Sequence, residues 1–438
     1  MLSRTLPLLL SLLSPPPSPL PLHTTVYGAG LAGLSLAHHL LDLSPVATVT
    51  VVDPAPTGEG GASAVAAGLV HPFSPAGKLL NRGLEGCEAA ASMISLAEAA
   101  LGCPVVVTED VYRLALEEVH EAQCRKMAEN HPDLAGSYTG SDDLPFSTLA
   151  RGGIKLKFAK VIDVPSYLRG LRDHLTLSHP NRVTFETGSF PPAGTKGKEG
   201  EDGEDGARAF CAGAAMMDDE RFSTLPLTRV HGRSVILKTT AGAGAAANEG
   251  AAANEGAAAA PPLPALMCGK YLLPTKDAGR LLAGSTHEFS AIPLPPSEAV
   301  PSLRAATEPL HPAAWIGFDE ASPDFLPPPE TTFGTRANPE RGALGRLPVL
   351  GSVGDPSERN YVFVGLGGRG VATHGVYGRL LAELLLGLKG EEEEEEFLWW
   401  KRKKREKGEP RRQGGRRREG RRREGGREVE EAETSLPQ

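Results

Sequence analysis

Aromatic residues make up only 5% of this 438-residue chain, and cysteine occurs five times. Cys87, Cys103, Cys124, Cys211 and Cys268 are scattered without a CxxC pair. That excludes a zinc site of the usual spacing and provides no disulfide framework. No uninterrupted apolar run reaches the roughly 18 residues of a membrane span. Positive charge is also in deficit, 46 Lys and Arg against 54 Asp and Glu, for a net charge of −8. A dedicated nucleic-acid binder over its whole length would have the opposite balance. Glycine and proline are plentiful, at 51 and 38 residues, and point to long loops and inserted low-complexity segments. The 40% hydrophobic content suffices for a sizeable core, and the length suits two or three structural units.

The first 23 residues carry one Arg, several Ser, no acid and a Leu-rich run broken by Pro7. They read as a processing segment outside the fold. A secretory peptide, an organellar transit peptide and a plain disordered extension are the alternatives. Low cysteine usage favours an organelle, plastid or mitochondrion; without a transit role the expected location is the cytoplasm.

The stretch from Thr24 to Pro54 organises the rest of the chain. A short apolar strand enters Gly28-Ala29-Gly30-Leu31-Ala32-Gly33. A helix with apolar periodicity comes next, and a second strand, Val46 to Val52, ends at Asp53-Pro54. Strand, glycine turn, helix, strand and acid in register form a dinucleotide fingerprint. Gly28 permits the tight turn, Gly30 lets backbone approach a pyrophosphate, and Gly33 lets helix pack on strand. The helix N-terminus offers unpaired N–H groups to phosphates. Asp53 can accept from a ribose hydroxyl. The competing reading is a tight βαβ turn with no ligand, and the motif alone does not separate FAD from NAD.

Beyond it, Gly58 to Gly77 is rich in Gly and Ala, as suits backbone lying on a flat or charged ligand or a merely flexible loop. Apolar spacing predicts a helix over 78–101, with Leu80, Leu84, Cys87, Ala91, Ile94 and Leu101 on one face. Residues 105–116 alternate like a strand pair, and 117–130 read as helix. An antiparallel strand is predicted over 154–158. Asp163 then caps a helix with Pro165 in its first turn, running to about Leu177. Strands follow at 183–187, 209–214 and 234–238, and a hairpin pair at 266–274 and 281–287. Blocks 194–206 and 241–264 are low-complexity surface insertions. A strand at 361–365 enters a second glycine cluster, Gly365 to Gly370, and a helix runs from about Val371 to Leu388. The acid run 391–396 and the basic tail 401–427 read as a solvated tail, with RNA or an anionic membrane as the other reading.

Taken together, these motifs resemble the D-amino-acid-oxidase-like FAD-dependent oxidoreductases, of the glycine and sarcosine oxidase type. The likeness is nearest to the oxidase domain of the tRNA wobble-uridine modification enzyme and its plant and algal relatives, through Val70-His71-Pro72. Gly61-Ala62-Ser63 through Ala67-Gly68-Leu69 is similar to the family loop along the pyrophosphate and flavin. Tyr271 to Pro274 resembles the substrate-domain strand. Gly334-Thr335-Arg336 with Leu347 to Gly351 resembles the segment carrying the carboxylate-binding arginine. Three departures stand out. Ala337 replaces a frequent Pro, an Asp-Gly turn is absent before Leu347, and Val65 stands where covalent-flavin relatives carry His. No Cys follows Cys268 either, so the resemblance implies non-covalent FAD.

The implied fold class is α/β, a discontinuous Rossmann-like FAD-binding domain plus an antiparallel-sheet substrate domain. The FAD domain is expected from 24–90, 154–233 and 331–390, and the substrate domain from 91–153 and 234–330. Implied cofactor contacts are Gly28, Ala29, Gly30, Leu31, Ala32, Gly33, Asp53, Pro54, Ala62, Ser63, Ala67, Gly68, Leu69, Ala212, Gly213, Gly365, Gly367, Gly368, Arg369, Gly370 and Val371. The implied chemistry is oxidation of an amine or amino-acid C–N bond by hydride transfer to flavin N5, with oxygen or another acceptor taking the electrons. Arg336 is the implied carboxylate clamp and Tyr271 its assistant. By residue chemistry alone they read as a surface arginine and a plain sheet tyrosine, and His71 and His374 as structural histidines. A tRNA-directed oxidase and a non-catalytic flavin binder are the alternative functions. An NAD-dependent dehydrogenase is disfavoured, because it needs no late glycine loop.

Overall fold

The computed structural model describes residues 23–192, 206–238, 263–316, 330–342 and 345–389. The leader up to residue 22, nearly all of both low-complexity blocks and the charged tail lie outside the described residues, while His23, expected outside the fold, begins the first strand. The expected strand, glycine turn, helix and strand are all present: His23–Tyr27, then helix α1 (Leu31–Leu43), then Thr48–Asp53. The two strands pair in parallel, Val26 against Val51.

They form the middle of a six-stranded sheet. Its order is Val349–Ser352, Asn360–Val364, Ala207–Phe210, His23–Tyr27, Thr48–Asp53, Val183–Thr187. Every pairing is parallel except the edge pair of Val349–Ser352 with Asn360–Val364. The remaining helices are α2 (Gly83–Leu101), α3 (Glu118–Asn130), α4 (Val164–Ser178), α5 (Pro296–Thr307) and α6 (Gly370–Leu385). Helices α1, α2, α4 and α6 pack on one another beside this sheet. Val26, Leu34, Leu36, Leu40, Val49, Leu171, Phe363 and Leu381 fill the shared core. The approach of α6 to α1 is close: a Cβ at Gly378 would stand 2.0 Å from Ser35 Oγ. Ser35 instead donates its hydroxyl to the His374 carbonyl at 2.7 Å. Asp163 caps α4 as expected, accepting from the Ser166 N–H at 3.1 Å.

The second layer is an eight-stranded sheet, in the order Thr331–Pro339, Leu227–Lys238, Arg280–Gly284, Lys270–Pro274, Ala265–Cys268, Val111–Ala115, Gly152–Leu156, Thr139–Gly140. It is antiparallel except where Ala265–Cys268 meets Val111–Ala115. One face carries Val235, Leu237, Leu266, Leu272 and Ala283 against Val300 and Leu303 of α5. A small third sheet joins Leu69–Val70, Lys160–Ile162 and Val106–Thr108.

Several expectations change. The helix predicted from Lys78 begins at Gly83, because the chain before it folds back on itself. Leu80 N–H donates to the Pro72 carbonyl and Gly83 N–H to the Leu80 carbonyl. The buried stripe of α2 is Gly83, Gly86, Ala90, Met93, Ile94 and Ala97, a face of mostly small residues that a search for large apolar side chains passes over. The strands Val106–Thr108 and Val111–Ala115 belong to different sheets and do not pair with each other. The hairpin pair is a three-strand meander, and the strand expected at 234–238 starts at Leu227. Sheet membership cuts across the expected domain ranges. The expected FAD domain includes residues 154–156, 227–233 and 331–339, yet their strands belong to the eight-stranded sheet. Helix α2 crosses the expected boundary at 90/91 while packing on α4 and α6 throughout.

Candidate active site

Three glycine-bearing stretches from distant parts of the chain meet at the ends of two helices. The first is the fingerprint turn. Gly28 has φ +119, and a Cβ there would lie 2.7 Å from the Cys211 carbonyl oxygen. A Cβ at Gly33 would lie 1.8 Å from the Gly28 carbonyl oxygen, so only glycine allows α1 to start this close to the strand. Helix α1 has no side-chain cap at Gly30. Leu31 N–H donates to Ser63 Oγ at 3.3 Å, which brings the Gly61–Leu69 loop onto the helix start. The N–H groups of Ala32 and Gly33 have no helical acceptor in the first turn, as any helix start dictates. Asp53 closes the turn: one oxygen accepts from Ala29 N–H at 2.7 Å and the other from Ala55 N–H at 2.9 Å. Each oxygen keeps a further lone pair. Pro54 is exposed beside it.

The second stretch is Ala212-Gly213. Its chain continues the parallel strand through Cys211, whose N–H donates to the Tyr27 carbonyl at 2.8 Å. The Ala212 nitrogen lies 3.1 Å from where a Gly28 Cβ would stand. The third is Gly365 to Gly370, where Gly365 (φ +79) and Gly367 (φ +58) take backbone angles that favour glycine. Helix α6 starts at Gly370, again without a side-chain cap. A Cβ at Gly370 would lie 3.3 Å from Leu31 Cδ1, so the two uncapped helix starts adjoin. The Val371 side chain packs into the core, while its N–H lies in the uncapped first turn of α6. Ala67 and Leu69 pack on the core of the second layer, and Gly68 (φ +75) lies directly on Ile162.

The other wall is one face of the eight-stranded sheet. Register aligns Ser234, Gly284 and Tyr271 across three strands, and Gly232 with Gly334 and Val230 with Arg336 across the edge pair. Alternation along a strand therefore puts Tyr271, Ser234, Gly232, Gly334 and Arg336 on the same face. The Tyr271 and Ser234 hydroxyls are 3.2 Å apart. A Cβ at Gly334 would stand 2.5 Å from Val65 Cγ2 and 3.5 Å from Ala62 Cα, so this face is the one that meets the Gly61–Leu69 loop. Arg336 Nη1 lies 3.6 Å from the position of a Gly368 Cβ. The sequence motifs keep Arg336 apart from the dinucleotide region; the fold instead places it against the C-terminal glycine loop.

Two arginines, Arg336 and Arg369, stand on this side of the site. Arg336 Nη2 donates to His287 Nε2 at 2.8 Å, and Arg369 Nη1 to His71 Nε2 at 3.0 Å. Among the described residues neither arginine has a carboxylate partner. Burial pushes Arg369 down to about 10, with Arg113 and Arg336 adding to it. Burial lowers Arg336 as well, opposed by Tyr271. His287 is lowered to about 4, by burial first and then by Arg336, Lys270, Arg369 and Arg346. His71 is fully buried and held neutral by burial, Arg369 and Arg113. It orients Arg369, so its structural reading extends to positioning. His374 is structural: its Nδ1 faces the Gly370 and Val371 carbonyls and its Nε2 faces the Tyr167 hydroxyl at 2.6 Å. Ser234, Lys270 and His287 escape a reading of the sequence. Lys270 precedes the recognised Tyr271, but nothing in local spacing marks His287 or Ser234.

A family model described as FAD dependent oxidoreductase, DAO, matches residues 23–384. The chain belongs to the DAO family of FAD-dependent oxidoreductases. Its cofactor is therefore FAD, and the site suits it: two adjoining uncapped helix starts offer N–H donors to phosphates, beside a cradle that a Cβ at Gly28 or Gly33 would fill. Val65 offers no nucleophile for a covalent tether. Similar solved structures include glycine oxidase from Bacillus cereus, with TM-score 0.60 at 15% identity over 84% of this chain and 96% of that one. Iminodiacetate oxidase from Chelativorans sp. BNC1 has TM-score 0.57 at 17% identity over 84% and 96%. Fructosamine oxidase (Amadoriase II) from Aspergillus fumigatus has TM-score 0.58 at 16% identity over 86% and 89%. At these identities the likeness is one of fold. No curated protein sequence matches. Among the described residues, no helix of this DAO-family chain is long and apolar enough to cross a membrane.

Proposed function

We propose that this flavoprotein oxidises a C–N bond of a small amine or amino acid that bears a carboxylate. The observation carrying this reading is Arg336, a half-buried guanidinium with no acid partner among the described residues, on the sheet face that meets the flavin-side loop. A planar fork in that position suits bidentate capture of a carboxylate. The Tyr271 hydroxyl, already polarised by Ser234, supplies a second donor.

When bound, flavin supplies the hydride acceptor at N5 for the amine C–H bond. The nitrogen lone pair becomes the C=N bond, so the amine must enter its neutral form. The positive wall of Arg336, Arg369 and Lys270 assists this, because it disfavours a nearby ammonium ion. Water then converts the imine to a carbonyl product and a released amine. His287, low in pKa, stays uncharged at neutral pH and yields its place on Arg336 to the incoming carboxylate. The structural neighbours named for glycine, iminodiacetate and fructosamine oxidation support this substrate class.

The test is anaerobic mixing of the purified holoenzyme with secondary amines and amino acids, following loss of the oxidised-flavin absorbance. Reduction by carboxylate-bearing amines, and not by their amides, is expected. No reduction by any member of the panel would refute the reading in favour of flavin binding without turnover. Acid precipitation should release FAD intact into the supernatant; yellow colour in the pellet would contradict the reading of Val65.

A further inference from the structure

The active-site wall holds one cation more than a single carboxylate and a flavin account for. Arg336 faces the substrate side through His287, and Arg369 is engaged by His71 within the glycine loop. Lys270 is the third. It sits at the start of the strand carrying Tyr271, half-buried, and donates one of its three N–H bonds to the Ser285 carbonyl at 2.6 Å. Ser285 and the clamp both border Gly232. Ser285 Oγ lies 3.8 Å, and Arg336 Nη2 4.0 Å, from where a Cβ on Gly232 would stand. Burial and Arg336 both press the Lys270 ammonium toward losing its proton, with Glu288 opposing.

Glu288 is not its ion-pair partner. One Glu288 oxygen accepts from the Thr286 hydroxyl and the other from Leu294 N–H at 2.6 Å. Among the described residues, Lys270 forms no ion pair. A half-buried ammonium beside an unpaired guanidinium is costly unless an anion joins them. A compact ammonium with two free donors accepts an anionic group without demanding the planar geometry that a guanidinium prefers.

We propose that Lys270 is a second anion-binding residue of the active site, so that the substrate is an amine bearing two acidic groups: one carboxylate on Arg336 and a second carboxylate or equivalent on Lys270. The proposal rests on the carboxylate-amine reading above and narrows it to dianionic amines.

The test titrates the holoenzyme with diglycolate and methoxyacetate, following perturbation of the flavin spectrum. Both are ethers, with oxygen in place of the amine nitrogen, so neither is oxidised. They differ by one carboxylate. The wild type should bind diglycolate at least about tenfold more tightly. Lys270→Gln should reduce that preference to about twofold or less, and Lys270→Arg should retain part of it. Arg336→Ala should weaken both ligands. FAD content and thermal unfolding of each variant identify any that fails to fold, and the arginine variant keeps the comparison available in that case. Equal affinities in the wild type, a preference that survives in Lys270→Gln, or no response to either ligand would each overturn the proposal. Failure of the amine-oxidation reading is separate: it appears as absence of flavin reduction by amines while diglycolate still binds.

Discussion

The contact between Gly334 and Val65 ties the substrate-side sheet to the flavin-side loop, and a single methyl group tests it. Gly334 lies in the edge strand Thr331–Pro339 with backbone angles open to any residue, so Gly334→Ala introduces no left-handed strain. Its effect is steric. The new Cβ would approach Val65 Cγ2 to 2.5 Å and Ala62 Cα to 3.5 Å, the first far inside contact distance. Val65 is β-branched and stiff at χ1, so its methyl cannot simply swing away. The loop must shift, at an overpacking cost of about 1–3 kcal/mol. That loop also supplies Ser63 to the start of α1, so the penalty should fall on cofactor binding. At 1.4 kcal/mol per tenfold, FAD affinity should drop by roughly 5- to 150-fold. The assay is fluorescence titration of deflavinated protein with FAD, for wild type, Gly334→Ala, Val65→Ala and the double variant. Val65→Ala removes the obstructing methyl groups and should restore most of the loss in the double variant, giving a clear coupling energy. Additive effects, or a Gly334→Ala protein with unchanged FAD affinity, would refute the contact and with it the placement of the loop on this face.

Arg336→Ala should raise the half-saturating concentration of a carboxylate substrate by roughly one to two orders of magnitude, from the loss of a charge-assisted pair of about 1.5–3 kcal/mol. Arg336→Lys should recover only part, and equal values for all three proteins in a reductive titration would remove Arg336 from the site. Flavin content is read in parallel because the guanidinium adjoins Gly368. The buried His38 and His374 are depressed to about 4 and His39 to about 3, from an ordinary value of 6.5. Each binds its proton more readily unfolded than folded, so stability is complete above about pH 6.5 and falls as pH drops toward 4, by up to about 1.4 kcal/mol per pH unit per group. A melting temperature that stays flat from pH 7 to pH 5 would show these rings to be solvated. Asp53→Asn can keep only one of the two backbone bonds at full strength. Flavin should dissociate several-fold faster, measured by fluorescence recovery on dilution; an unchanged rate would show that the carboxylate is dispensable there.

The flavin side of the site is legible in the sequence because its chemistry is local. Gly28, Gly30 and Gly33 act within one turn, so their spacing is written in consecutive residues. Asp163 and Pro165 likewise announce the start of α4. The substrate wall is different. Ser234, Tyr271, Gly284, Gly334 and Arg336 share a face only through cross-strand register, and no local pattern encodes that alignment. Resemblance supplies Tyr271 and Arg336, while His287 stays hidden because it matters through its bond to Arg336. The sheet to which a strand belongs is hidden for a related reason. Strand Thr331–Pro339 follows substrate-side chain and precedes flavin-side chain, and only its pairing with Leu227–Lys238 decides which sheet holds it.

The adjoining starts of α1 and α6 have a consequence for biosynthesis. Leu31 lies in the first helix of the described fold and Gly370 begins its last, so the cofactor seat joins segments more than three hundred residues apart. During translation, the fingerprint turn emerges long before the loop that completes its partner helix start. A seat built from both helix starts is complete only once the chain through Gly370 has been synthesised. Closing so long a chain segment also places the seat among the high-separation contacts that slow folding. Until then the face of α1 that packs on α6 stays uncovered, and a chain that stalls before Gly370 leaves that face open to aggregation and to surveillance by chaperones.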